Sequence, residues 1–320
     1  MKYILAADIG GTYTRVALYT PAGVRRVYHR FENVRYPSVT ALFHDFRVRH
    51  AVPLSRASVA VAGPVHEGDA KMPNLAWHVS EELLKHALLV KDVRLHNDAY
   101  AAAVGLGSVP IMKVKDGRAD PKGTRAILAP GTGLGSSYTI WDGKKHIAHP
   151  AEAGHADFAP VTETHAHLRE FLKGRFAHVS NERVMSGPGL VAIYYFLREQ
   201  KAASESDAQR RAIDSAYSPA QAIVDAALAG TSGLAARAVE EFAAILGGYA
   251  GSYALSLSAT GGVYIYGSLC NRILPFLKTA AFEHAFNKKG RMTSFCSRIP
   301  VFVVRDPDVV LKGAFLLAKR

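Results

Sequence analysis

Two glycine turns have the composition of phosphate-holding backbone. Asp8-Ile9-Gly10-Gly11-Thr12 follows the apolar run Ile4-Leu5-Ala6-Ala7, and Gly131-Thr132-Gly133-Leu134-Gly135 follows Ile127-Leu128-Ala129-Pro130. Glycine permits positive φ and close approach to a ligand, and successive turn amides can converge on anionic oxygens. Either turn alone also fits a plain tight hairpin, whereas a facing pair would clamp a polyphosphate from both sides. A carboxylate, Asp98, stands where a strand-like run meets an alanine-rich helical stretch, fixed rather than swinging on a loop. There it can serve as a general base or simply cap the helix. Glu152, His155 and Glu182 add two carboxylates and an imidazole, groups that accept from and donate to vicinal hydroxyls. Glu152-x-x-His155 also fits a solvent-facing pair; a metal pair would lack a third ligand at recognisable spacing.

The surrounding elements are those of an α/β chain. Lys2–Ala7, Val16–Tyr19, Val24–Phe31, Ser58–Ala62 and Val93–His96 read as strands, and Glu81–Leu89 as a helix capped by Ser80. Helices are expected over Glu182–Glu199, Pro219–Ala229, Gly233–Ser256 and from Val309 to Leu317, with strands at Ser136–Trp141, Val263–Tyr266 and Val301–Val304. Ser108–Thr124 mixes Pro, Gly and charge and is the best candidate boundary between lobes. On either side of it the same unit occurs: strand, glycine turn carrying a threonine, strand. Neither turn has the lysine of a P-loop. The second has the wrong spacing for a dinucleotide fingerprint and opens a strand rather than a helix. The His-Arg-Asp and Asp-Phe-Gly signatures of protein kinases are missing.

At 320 residues, two lobes are the first expectation, and 49% apolar with 21% charged residues describes a folded chain. The net charge of +12 is dispersed in pairs such as Arg25-Arg26 and Lys288-Lys289, with no nucleic-acid motif beside them. A basic solvated surface follows, and no nucleic-acid partner. Cys270 and Cys296 are too few for a disulfide framework or a four-cysteine zinc site, which predicts a reducing compartment. Asp8 interrupts the N-terminal apolar run before a secretion signal can form. Phe242–Asn271 is uncharged and long enough to span a bilayer, but glycines and serines interrupt it, so a buried helix followed by a buried strand is expected and no membrane partner.

In chain order, Asp8-Ile9-Gly10-Gly11-Thr12, His96-Asn97-Asp98, Gly131-Thr132-Gly133-Leu134-Gly135, Glu152-Ala153-Gly154-His155, Glu182-Arg183-Val184 with Ser186-Gly187-Pro188-Gly189, and Gly261-Gly262-Val263-Tyr264-Ile265 resemble the bacterial glucokinase family. The resemblance covers nearly the whole chain. It implies an α/β, two-lobed actin-like or ribonuclease-H-like ATPase fold, with an ATP and sugar cleft between lobes. The implied domains are a small one of residues 1–107 plus 305–320 and a large one of 108–304. The implied reaction is transfer of phosphate from ATP to the 6-hydroxyl of glucose, with Asp98 as the base. Asn97, Glu152, His155 and Glu182 would bind the sugar. Asn74 matches a segment near it, and an exposed turn Asn is an equal reading.

Gly10, Gly11, Thr12, Thr132 and Gly133 would embrace the ATP phosphates, Asp8 would hold Mg2+ through water, and Gly262 and Gly267 would border adenine. The resemblance further implies a cytoplasmic homodimer. Tyr13, Ala153 and Ser268 depart from the family pattern, which has Asn, Gly and Gly there. A related subgroup with a zinc-binding cysteine cluster does not match, since neither cysteine lies near His155. A repressor's helix-turn-helix has no room before Asp8. The alternatives are a kinase for another hexose or hexosamine, and a non-catalytic sugar-sensing protein.

Overall fold

The computed structural model describes residues 1–72 and 75–319. Its chain divides into two compact units, Met1–Pro110 with Ile147–Pro150 and Asp306–Arg320, and Ile111–His146 with Ala151–Arg305.

In the first unit, β1 (Tyr3–Ile9), β2 (Tyr13–Tyr19) and β3 (Arg25–Glu32) form an antiparallel meander. β4 (Leu54–Val61) joins β1 in parallel, β5 (Asp69–Met72) and β6 (Trp77–Ser80) make a separate hairpin, and β7 (Val93–Asn97) joins β4 in parallel. The sheet order is β3-β2-β1-β4-β7. Residues 4–9 of β1 are all buried, as a strand covered on both faces requires. Leu42, Phe43 and Phe46 of the helix Val39–Arg49 share one core with Leu5, Ile9 and Val59. The helix Val309–Ala318 packs against β1 and β4 and against the helix Asp98–Gly105. Glycine makes that helix contact possible: a Cβ on Gly313 would lie 1.7 Å from the Ala101 carbonyl oxygen, and one on Gly105 2.3 Å from that of Val309.

The second unit contains β8 (Ile111–Lys115), β9 (Arg125–Pro130), β10 (Leu134–Trp141), part of β11 (His146–Ala151), β12 (Val263–Ile265) and β13 (Val301–Val304). Five of these strands run in the order β10-β9-β12-β13-β8, with β12 parallel to β9 and to β13. In both units, therefore, the strand before the glycine turn pairs antiparallel with the strand after it and parallel with its other neighbour. The duplicated unit read in the sequence is present as two such hairpins.

Ser108–Thr124 contains β8, which pairs with β13 and ends in the buried Lys115. One element differs from the expectation. The stretch Glu182–Glu199 splits into a single 3-10 turn, Asn181–Arg183, and a helix that begins at Gly187. Ser186 caps that helix by accepting from the Gly189 amide. The uncharged stretch from Phe242 holds the end of the helix Gly233–Ser256 and then β12. Its Gly247 and Gly251 let the helix Ala280–Asn287 approach, with Phe282 and Phe286 carbonyl oxygens 2.5 and 2.3 Å from where a Cβ would be. No single helix among the described residues is long and apolar enough to cross a membrane; the helices Pro219–Leu228 and Gly233–Ser256 pass on length and composition only as a pair bent by 104°.

Candidate active site

Three chain segments meet at the carboxyl edge of the first unit's parallel strands, where α/β sheets commonly bind ligands. Ile9, Val61 and Asn97 lie in one row across β1, β4 and β7. At strand spacings of about 4.8 Å, that row brings the glycine turn after Ile9 within about 10 Å of the Asn97-Asp98 junction.

Asp8, next to the end of β1, is buried, and Arg15 opposite it on β2 donates from Nη1 to Asp8 Oδ2 at 2.8 Å. Burial pushes the Asp8 carboxyl above the ordinary aspartate range, and the Arg15 guanidinium pulls it back. The turn is closed by the Gly10 amide donating to the Tyr13 carbonyl at 3.0 Å. A Cβ on Gly10 would sit 3.3 Å from that same oxygen, so close approach rather than positive φ is what favours glycine here. Tyr13, one of the departures from the family pattern, is exposed beneath the Arg30 guanidinium, 4.5 Å from its ring centre.

The helix cap is Asn97, not Asp98. Asn97 Oδ1 accepts from the Tyr100 amide at 3.0 Å, and its Nδ2 donates to the Gly63 carbonyl at 3.0 Å. Both ends of this amide are thus engaged in fixing the junction. Asp98 is the first helical residue, where the helix dipole favours negative charge, and its Oδ1 accepts from the Ala99 amide at 2.8 Å. The capping alternative for Asp98 therefore falls to its neighbour, and Asp98 is half-buried at a fixed point of the sheet edge.

In the second unit the turn Gly131–Gly133 is closed by the Gly131 amide on the Gly133 carbonyl, 2.8 Å. The Gly187 amide, which opens the helix Gly187–Glu199, donates to the Gly131 carbonyl at 2.8 Å, tying this helix N-terminus to the turn. Glu182 also meets the turn: its Oε2 accepts from the Leu134 amide at 2.9 Å. A Cβ on Gly133 would lie 2.3 Å from that oxygen, so the glycine makes room for the carboxylate.

Glu152 and His155 are exposed on a 3-10 turn, with Nε2 and Oε2 3.8 Å apart. Partial burial raises the Glu152 carboxyl; His155 lowers it and Glu182 adds to the rise. Ser136 brackets Glu152, accepting from the Ala153 amide and donating to the Ala151 carbonyl. Asn181 ties this turn to Glu182 through the Ala156 carbonyl, 2.9 Å from its amide and 3.0 Å from Nδ2. A cavity of about 430 Å³ beside the second turn is lined by Gly131, Thr132, Gly187, Pro188, Ser218 and Ser268, within the range of small-molecule sites. A smaller one of about 210 Å³ shares Thr132 and includes Glu182, Arg183 and Ser186.

Gly262 and Gly267 lie at opposite ends of β12. Gly267 has φ +123° and stands at the carboxyl end, where a Cβ would be 2.9 Å from the Pro130 carbonyl oxygen. Gly262 has φ +103° at the amino end, and a Cβ there would be 3.1 Å from the Phe302 ring. Its glycine is needed by local packing, and the structure does not bring it to the glycine turn. Asn74 lies outside the described residues.

Sequence reasoning passed over Ser136, Asn181 and Asn33, which stand among polar or small residues in the chain and are marked only by their burial in the fold. Among the described residues no group of three or more His, Cys, Asp or Glu side chains could hold a metal. A magnesium ion takes one or two carboxylates together with waters and substrate phosphates, so the group to look for is a carboxylate beside a phosphate-holding turn. Asp8 is the carboxylate beside the first turn.

A sequence profile of the glucokinase family matches residues 5–320. A glucokinase of Nostoc sp. is 35% identical over 341 aligned residues, covering all of both chains. Among solved structures, a glucokinase from an Antarctic psychrotroph is 29% identical with a TM-score of 0.79, each chain covered to 99%. A Balamuthia mandrillaris glucokinase in complex with glucose is 20% identical with a TM-score of 0.84, covering 100% of this chain and 94% of the other, a likeness of fold. The two-hairpin architecture is the actin-like ATPase fold of these neighbours. With a profile spanning both glycine turns, the Asn97-Asp98 junction and the Glu152 and Glu182 segments, the chain belongs to the glucokinase family.

Proposed function

We propose that this chain transfers the γ-phosphoryl group of ATP to the 6-hydroxyl of glucose, with Asp98 as the general base. The observation that carries the assignment of the base is the position of Asp98 at the start of a helix, one residue beyond the row Ile9–Val61–Asn97 that also ends in the first glycine turn. Family membership supports the reaction, and neither a kinase for another hexose nor a non-catalytic sensor is favoured by it.

In the reaction the sugar O6 attacks the γ-phosphorus, the O6–H proton passes to an Asp98 carboxylate oxygen, and ADP leaves. The Ala99 amide on Asp98 Oδ1 holds the carboxylate in place for that transfer. Glu152, His155 and Glu182 bind the sugar hydroxyls, and Asn97 sets the junction from which Asp98 projects. The Gly11 and Thr12 amides, with Gly10 permitting close approach, and the amides of Thr132–Gly133 receive the phosphates, and Gly267 borders the base. Asp8 would hold a magnesium ion, whose charge would offset that of the transferring phosphate. The same reading takes the two units as the small and large domains, and the protein as a cytoplasmic homodimer; sedimentation of the purified chain tests the dimer.

The test of the mechanism is Asp98→Ala. Losing a general base costs about 10²–10⁴-fold in turnover. The expected result is that loss with the glucose Kd from calorimetry unchanged, read beside a coupled assay over a panel of hexoses and hexosamines. Unchanged turnover removes Asp98 from the mechanism.

A further inference from the structure

We propose that Asn33 is the positioning residue of the first phosphate turn, an inference that rests on the kinase reading above. Asn33 lies just past β3, far along the chain from the turn, and is only 2% exposed. It reaches the turn twice and the strand after it once. Its Nδ2 donates to the Gly10 carbonyl at 2.8 Å, its backbone amide donates to the Thr12 carbonyl at 3.0 Å, and its Oδ1 accepts from the Thr14 hydroxyl at 2.7 Å. Thr14 is itself fully buried, so its hydroxyl anchors the Asn33 amide group in one orientation.

The consequence follows from peptide geometry. A trans peptide is planar, with C=O and N–H on opposite sides. Holding the Gly10 carbonyl toward Asn33 turns the Gly11 amide away from it, and holding the Thr12 carbonyl does the same for the Tyr13 amide. A glycine turn is otherwise free to flip its peptide planes at little cost. Asn33 removes that freedom, so the turn presents its donors to phosphate already aligned. A carboxylate in its place would set an acceptor against the Gly10 carbonyl, and an aliphatic side chain would leave that carbonyl without its side-chain donor. Asn33 touches no reacting atom; it acts through the turn.

Asn33→Ala and Asn33→Asp test this, with Thr14→Val as a milder variant that removes only the anchor of the side chain. The readout is a split between substrates. The KM for ATP is expected to rise about tenfold in Asn33→Ala, the size of one well-placed hydrogen bond, with a smaller rise in Thr14→Val. The KM for glucose and its calorimetric Kd should stay within about twofold, the scatter of unperturbed binding on this scale. Adenosine, which lacks phosphate, should bind the variants and the wild type alike. An unchanged KM for ATP in folded Asn33→Ala overturns the proposal, as does a proportional rise of both KM values. If Asn33→Ala does not fold, the ATP-to-glucose split in Thr14→Val decides in the same two directions. Wild-type protein inactive toward every hexose would instead refute the kinase reading, so the two failures are distinct.

Discussion

The substitution Gly133→Ala places a methyl group where the structure has a carboxylate. The new Cβ would stand 2.3 Å from Glu182 Oε2, 3.1 Å from its Cδ and 3.8 Å from its Oε1, so its three nearest contacts all belong to one carboxylate. Gly133 does not have positive φ, so alanine is tolerated by the backbone itself. The strain therefore falls on the end of the Glu182 side chain, which must retreat by about 1 Å to restore an ordinary contact. That movement stretches the 2.9 Å hydrogen bond from the Leu134 amide beyond useful length. A hydrogen bond to a charged group contributes about 1.5–3 kcal/mol. The loss of unfolded-state freedom on replacing glycine returns about 0.4–1 kcal/mol. The net destabilisation is about 1–2 kcal/mol, or roughly 2–8 °C in Tm at this domain size. Because Glu182 is assigned to the sugar, kcat/KM for glucose should fall by more than stability alone explains, up to about 10²-fold for a 1 Å displacement. Thermal unfolding and steady-state kinetics measure both effects. The decisive comparison is the same substitution in a Glu182→Ala background, where there is nothing to displace. There Gly133→Ala should cost less than about 0.5 kcal/mol, the non-additivity that marks two sites in contact. An undiminished cost in that background would refute the steric argument.

Gly313→Ala drives a methyl into the Ala101 carbonyl, 1.7 Å away, and should force apart the helices Val309–Ala318 and Asp98–Gly105. A loss of about 3 kcal/mol or more in urea unfolding is expected, as for an overpacked core. Glu241 is buried and accepts from His165 at 2.8 Å; that hydrogen bond, with the charges of His165 and Arg237, holds its carboxyl below the ordinary glutamate range. A depressed carboxyl stabilises the fold above the unfolded-state value and loses that contribution as pH falls through the folded value. Glu241→Gln should thus lower Tm at neutral pH and give a shallower fall in Tm below about pH 4.3 than the wild type. Parallel acid limbs for the two proteins would contradict this.

The two hairpins were legible because their information is local. A strand, a turn that demands glycine and a second strand are contiguous in the chain, so composition and spacing reveal them without any long-range pairing. The same holds for the helix Gly233–Ser256 and for β13, whose predicted bounds match the structure. What stayed hidden depends on register. Gly261-Gly262-Val263-Tyr264-Ile265 reads as one motif, yet a strand has two ends, and only the parallel pairing of β12 with β9 shows that Gly267 faces the turn edge while Gly262 faces away. Similarly, the mixed composition of Ser108–Thr124 resembles a linker. Lys115 within it is buried because its Nζ donates to the carbonyls of Asp116, Cys296, Ser297 and Ile299. Three of those partners lie far along the chain, so no local pattern could announce a buried lysine.

The assignment of polar residues to site or scaffold turned on the same distinction. Asn97 and Asp98 are adjacent and chemically alike, and the sequence offers no reason to give the cap to one and the first helical turn to the other. Three-dimensional bookkeeping does: Gly63, at the end of the neighbouring parallel strand, supplies a carbonyl that only the Asn97 amide can satisfy, since a carboxylate has no donor. That requirement fixes Asn at the cap and leaves the acceptor-only residue one position on. The argument for Asn33 has the same form, with a carbonyl of the turn in need of a donor and a hydroxyl in need of an acceptor. At both places a primary amide is used because it offers both functions in one rigid group. The glycine turn and the Asp98 junction are therefore each held by an asparagine that is itself fixed from two sides.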